Sequence, residues 1–129
     1  MERQVIISDW PWNDSVGIAQ AVRVGDTVHV SGQTAREPEG NLIGGGSTEL
    51  QARKVFENIE YVLELAGSKM SEVVKLTAYF TDGANFPEYA KVRREFFPEI
   101  TFSATGMTVT ALAESGMLLE VEAVAVIGS

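Results

Sequence analysis

The sequence has no cysteine and a single histidine, His29. Without cysteine there is neither a disulfide framework nor thiolate chemistry, and nothing points to an oxidising compartment. One imidazole without thiols is poor material for a metal site, and no spacing of His29 with carboxylates resembles a ligand set. Basic residues are scarce as well: 10 Lys and Arg against 18 Asp and Glu give a formal net charge of −8. Nucleic-acid affinity rests on neutralising phosphates with Lys and Arg, so a nucleic acid is not an expected partner. The one basic cluster, Lys91, Arg93 and Arg94, reads as a solvated helix face. No apolar run approaches the roughly 20 residues of a membrane span. Met1-Glu2-Arg3-Gln4 carries no apolar h-region, so no secretory signal is read and the expected location is the cytoplasm, with no membrane partner.

What is present suits one globular domain. The chain has 129 residues, 45% of them apolar and 22% charged, an ordinary composition with enough apolar material for a core. Val22 to Val30 alternates on both sides of Gly25-Asp26 and predicts a β-hairpin. A polar, glycine-rich loop follows, roughly Ala35 to Gly46. Ala52, Val55, Phe56, Ile59, Val62, Leu63 and Ala66 then form one apolar stripe, predicting a helix from Thr48 to Ala66 with a capping box on Thr48 and Gln51. Gly67 suits the position after its end. Val73–Phe80 predicts a strand with Val74, Leu76, Ala78 and Phe80 on one face. A second helix is predicted from about Asn85, with Pro87 in its first turn, to just before Pro98, offering Phe86, Tyr89, Ala90, Phe96 and Phe97 to the core. Strands near 105–111 and 117–126 complete a ββ-α-β-α-ββ order, an α+β fold with two helices on one face of one sheet. In the last strand Leu119, Val121, Ala123 and Ala125 point one way. Leu118, Glu120, Glu122, Val124 and Val126 point the other, so both faces are substantially apolar. Burial of the second face against other copies of the chain is expected.

Few motifs carry chemistry. "GNLIGGGS" (40–47) nearly fits a phosphate loop, but Gly46 stands where the lysine belongs, and no buried strand precedes it. It reads as a loop entering a helix, with a weak anion site at the helix start as the alternative. His29 and Ser31 share a strand face but lie too far apart for a nucleophile–base pair and lack a third orienting group. Glu120 and Glu122 sit in the apolar strand "MLLEVEAVAVI". They are either solvent-facing, or Glu120 is a half-buried carboxylate with a raised pKa, suited to acid or base work near neutral pH. Gly32, in Ser31-Gly32-Gln33, marks either a close backbone approach to a ligand or a bulge.

"VGDTVHVSGQ" (24–33), "QARKVFENIEYVLELAGSKMSEVVKLTAYFTD" (51–82), "FPEYAKVRREFF" (86–97) and "LLEVEAVAV" (118–126) together resemble the RidA/YjgF family of imine and enamine deaminases. The resemblance spans about residues 15–127. It implies a chorismate-mutase-like α+β fold, a homotrimer with clefts between neighbouring subunits, no metal and no organic cofactor. It also implies hydrolysis of reactive 2-imino acids to 2-oxo acids and ammonia by an activated water. Carried over residue by residue, the glycine of SGQ matches Gly32 and the first glutamate of E-V-E matches Glu120. The family's substrate-binding arginine falls on Ala104, before Thr105, and the cysteine beyond it falls on Gly106. The aromatic residue before the first strand falls near Ile18, and an asparagine of the second helix near Ala90. No arginine follows Arg94, so no shift of register restores one.

That departure changes the expectation. An arginine holds a carboxylate with two parallel charge-assisted hydrogen bonds, which alanine does not supply. The segment "TFSATGMTVT" (101–110) therefore reads as a strand lining a neutral pocket, with the hydroxyls of Thr105, Thr108 and Thr110 and the soft wall of Met107. The expected function is water addition to a C=N or enamine bond of a small metabolite. Glu120 would handle the water, Ile18, Gly32, Ala104, Thr105, Gly106 and Met107 would bind the substrate, and the reaction would differ from that of a standard 2-imino acid deaminase. The alternative is a non-catalytic trimer that binds a metabolite or acts as a chaperone. Ribonuclease activity ranks last, given the charge.

Overall fold

In the computed structural model, which covers residues 1–129, the strands are β1 (Arg3–Ile6), β2 (Ala21–Val24), β3 (Thr27–Gln33), β4 (Val73–Phe80), β5 (Ser103–Thr108) and β6 (Leu119–Val126). They form one sheet in the order β1-β2-β3-β6-β4-β5. All pairs are antiparallel except β4 with β5. That parallel pair needs a crossover, which helix α3 (Phe86–Phe96) provides. Helix α2 (Thr48–Leu65) packs beside α3 and over β3 and β6. The α+β class, the single mixed sheet and the two main helices on one face are as expected. Two elements were not anticipated: β1 on the sheet edge, and a four-residue helix α1 (Asn13–Val16).

The apolar periodicities place the core. On α2, Ala52, Val55, Phe56, Ile59, Val62 and Leu63 are all fully buried, and on β6 so are Leu119, Val121 and Ala125, with Ala123 nearly so. Phe56 is the hub, with ring centroids of Tyr89, Phe96 and Phe97 at 5.7, 5.4 and 5.6 Å. Val92 joins this core from α3, whereas Phe86 keeps 43% of its surface exposed.

Three local readings are corrected. The N-cap of α2 is Ser47, whose hydroxyl accepts from the Leu50 amide at 3.2 Å. Gln51, assigned above to a capping box, instead turns inward, donating to Gly116 O at 2.8 Å and accepting from the Leu118 amide at 2.9 Å. Val74 does not share the face of Leu76, Ala78 and Phe80. The β4–β6 register slips between Val73 and Lys75, so Val74 is an extra, half-buried residue, and Val73 enters the core in its place. The glycine run before the cap has a backbone reason. Gly44, Gly45 and Gly46 take φ of 99°, 40° and 89°, the region that side-chain-bearing residues avoid.

Candidate functional site

The face of the sheet away from the helices carries the polar side chains of β6. Cross-strand register sorts them into rows. Glu120 lies opposite Tyr79, which lies opposite Met107; Glu122 lies opposite Thr77, which lies opposite Thr105. Lys75 follows, between Val124 and Ser103. Each step across a strand is about 4.8 Å, so Glu120 and Met107 stand roughly 10 Å apart at the backbone.

Gly32 closes the other side of Glu120. The β3–β6 register shifts between Val30 and Gln33, which makes Ser31-Gly32 a bulge. A Cβ built on Gly32 would stand 2.8 Å from Glu120 Oε1, 2.9 Å from its Cδ and 3.1 Å from its Cγ. Glycine is thus the residue that lets this carboxyl lie against the β3 backbone, and of the two readings of Gly32 given above the structure shows the bulge. Ile18 is exposed, in the segment between α1 and β2. Its carbonyl accepts from Asn13 Nδ2 at 3.1 Å, and the adjoining Ala19 carbonyl accepts from Ser31 Oγ at 2.7 Å, which ties this segment to the Gly32 end of β3.

The electrostatics of the row are uneven. Burial, and then the neighbouring Glu122 charge, push the Glu120 carboxyl above the usual carboxylate range. Glu122 accepts a 2.5 Å hydrogen bond from Tyr79 Oη, and that bond, followed by burial and the charges of Glu122 and Glu120, raises the Tyr79 phenol. The result is two glutamates two residues apart, one of them held by a phenol and the other left with a displaced proton equilibrium. A shallow cleft of about 200 Å³ continues beside Glu122, lined by His29, Lys75, Thr77 and Val124 among others. His29 is exposed, and no cluster of histidine and carboxylate side chains is arranged to hold a metal ion.

Within one chain the sequence-selected residues divide between two faces. Gly32, Glu120, Thr105 and Met107 share the outer face. Ala104 and Gly106 pair with Leu76 and Ala78 and point with them to the helix side. There a Cβ on Gly106 would lie 3.6 Å from Phe80 and 3.8 Å from Phe86. Thr108 also belongs to the helix side, opposite Phe80, so the hydroxyls of 105 and 108 do not line one wall. Tyr79 was not selected from sequence, although the two-residue period of β4 puts it on the Glu120 side. Arg93 also departs from expectation. It is half-buried over aromatic rings, while Lys91 and Arg94 are exposed as a solvated face requires.

Comparison with known proteins agrees with this architecture. The family model described as Endoribonuclease L-PSP matches residues 15–127. A RutC family protein of Pyrococcus abyssi is 33% identical over 97% of this chain and 98% of its own. The 2-iminobutanoate/2-iminopropanoate deaminase of Dermatophagoides farinae is 34% identical over 84% of each chain. The crystal structure of RidA from an Antarctic Psychrobacter superimposes with a TM-score of 0.87 at 34% identity, covering 96% of this chain and 99% of that one. With the six-stranded sheet, its helical layer and a match over nearly the whole length, the chain belongs to the RidA/YjgF family, the family of Endoribonuclease L-PSP.

Proposed function

We propose that the protein hydrolyses a C=N or enamine bond in a small metabolite and releases ammonia. The observation that carries this is the Glu120 carboxyl, half-buried, raised in pKa and seated against the Cβ-free backbone of Gly32. A carboxyl held above its ordinary pKa can take a proton from water as the oxygen adds to the C=N carbon and pass it to the nitrogen, giving a carbinolamine, and can then carry the carbinolamine hydroxyl proton to the same nitrogen as the C–N bond breaks. Water and imine thereby give a carbonyl compound and ammonia. Backbone groups beside Gly32 and Thr105 supply hydrogen bonds to the polarised substrate.

The division of residues between two faces suits a cleft between copies. Leu118, Val124 and Val126 are only half-buried on a face with no helix over it. In a homotrimer of the kind the family resemblance implies, the helix-side face of β5 in one copy can meet the Glu120 face of a neighbour. The absence of any arginine after Arg94 sets this chain apart from deaminases that hold the substrate through a guanidinium on β5.

The test is ammonia release from imines generated in situ by an amino-acid oxidase, across several side chains and beside a carboxylate-free imine. Wild type is expected to accelerate release with at least one of these, and Glu120→Gln to lose most of that acceleration. Equal rates for the two proteins on a true substrate would remove Glu120 from the reaction. The second reading, a metabolite-binding protein, is favoured by the missing strand arginine. A ligand that binds and emerges unchanged would support it.

A further inference from the structure

Glu120 and Glu122 stand two residues apart on one face of β6, about 6–7 Å at the backbone. Two glutamate side chains can close that distance and share one proton, as paired carboxylates at a common site do. A proton shared in this way is withdrawn from a water beside Gly32, and so are the lone pairs that would receive the water's own. The structure keeps the two carboxyls apart. Tyr79 lies directly opposite Glu120 across the β4–β6 pair, yet its hydroxyl donates to Glu122 Oε1 at 2.5 Å, on the diagonal. Glu120 accepts no hydrogen bond from the chain, and no ion pair includes it.

The other charged groups of this face sort toward Glu122 as well. His29 on β3 and Lys75 on β4 both lie opposite Val124, the next outward residue beyond Glu122, and with Glu122 they line the cleft of about 200 Å³. The outward residues of β5 are Ser103, Thr105 and Met107, none of them charged. The bond to Glu122, then burial and the two glutamate charges, raise the Tyr79 phenol, so Tyr79 remains a donor throughout the range in which carboxyls titrate. We propose that Tyr79 is a positioning residue for the water addition described above, and so rests on that reading of Glu120: its hydroxyl draws Glu122 toward β4 and holds it as the charged partner, so that the working proton resides on Glu120 alone. Tyr79 acts through Glu122, whose charge opposes a second charge at Glu120 and favours the protonated form there.

The test is carbon-13 NMR titration of the glutamate carboxyls in wild type, Tyr79→Phe, Glu122→Gln and the double variant, each checked for folding by thermal unfolding and with no substrate present. Wild-type Glu120 is expected to titrate in one step, above the ordinary carboxylate range. Tyr79→Phe keeps the ring and removes the hydroxyl. Glu122 is then free to turn to Glu120, and the Glu120 signal should divide into two steps, the later one above the wild-type value, as coupled carboxyls do. In Glu122→Gln the Glu120 step should stay single and fall toward the ordinary range. The double variant should titrate as Glu122→Gln does, because the phenol then has no carboxylate to hold. A single Glu120 step in a folded Tyr79→Phe protein would overturn the proposal, as would an unmoved Glu120 step in Glu122→Gln. An effect of Tyr79→Phe that persists in the Glu122→Gln background would assign Tyr79 a packing role and overturn it too. On an imine that wild type hydrolyses, Tyr79→Phe should lower kcat by about 10-fold near neutral pH with KM held, a fraction of the 100-fold or more that a direct acid–base group contributes; an unchanged kcat would count against the role as firmly. The titrations need no substrate, so a lack of ammonia release would remove the reaction and leave the carboxyl pair standing, while a failed titration would remove Tyr79 and leave the reaction standing.

Discussion

Substituting Gly32 by alanine tests the geometry of the Glu120 carboxyl directly. The new methyl would stand 2.8 Å from Oε1, 2.9 Å from Cδ and 3.1 Å from Cγ. Comfortable contact begins near 3.5 Å, so the carboxyl must retreat by about 0.7 Å. It can do so, because Glu120 is only half-buried and its far end is flexible. The folding cost is therefore small, about 1 kcal/mol, at the lower end of what an added methyl costs in a packed site. The functional cost is expected to be much larger, since a displacement approaching 1 Å at a reacting group costs on the order of 100-fold in rate. Carbon-13 NMR of the glutamate carboxyls gives a substrate-free assay. In wild type Glu120 titrates above the ordinary carboxylate range, and in Gly32→Ala it should fall back toward that range as water reaches it. Gly32→Ala should also add nothing to the rate loss of Glu120→Ala in the double variant, because the methyl then meets no carboxyl. An unchanged Glu120 titration in a folded Gly32→Ala protein would refute the argument from close approach.

Other outcomes follow from the same physics. The urea midpoint of Glu120→Gln should gain on that of wild type as pH rises, because a carboxyl whose folded pKa is raised loses its share of stability as pH rises through that value. Glu72 should behave in the opposite sense. The Gly128 amide, donating to Oε2 at 2.7 Å, and the Ser68 hydroxyl, donating to Oε1 at 2.8 Å, hold it below the usual range. Its contribution is thus present above the unfolded pKa and lost as pH falls through the folded one, and the difference in urea midpoint between wild type and Glu72→Gln should shrink in acid. Phe56→Ala removes the ring against which Tyr89, Phe96 and Phe97 pack, and should cost about 3–5 kcal/mol in urea unfolding. Gln51→Ala leaves the Leu118 amide and the Gly116 carbonyl without partners, for about 2–4 kcal/mol, and hydrogen exchange at Leu118 should speed up first.

Long periodic segments were legible in the sequence. The stripe on α2 and the alternation of β6 each name their buried residues, because many positions repeat one geometric message. The edge strand β1 was not legible: it has four residues and buries only Ile6, too little for a pattern to emerge. Val74 misled because a bulge shifts the phase, and one extra residue leaves no mark in composition. The cap moved from Thr48 to Ser47 because both are good caps and the choice depends on how the glycine run enters the helix. At the site, Gly32 and Glu120 could be named, but not their contact, which depends on β3 and β6 being neighbours. Arg93 read as surface because the sequence does not reveal that Phe102 comes to lie beneath its guanidinium, and Tyr79 was missed because its bond to Glu122 runs diagonally between strands.

The place of β6 in the sheet has a bearing on how the chain is made. Synthesis proceeds from the N-terminus, yet the sixth strand to emerge lies between β3 and β4, pairing with both. Until it arrives, β1–β3 and β4–β5 are two ribbons with unpaired inner edges, and α2 has only part of the surface it will cover. Such edges invite pairing with other chains. The nascent protein must therefore wait, with its stickiest margins open, for its last strand. Long-range pairing of this kind folds slowly, and the risk of aggregation is concentrated in that interval.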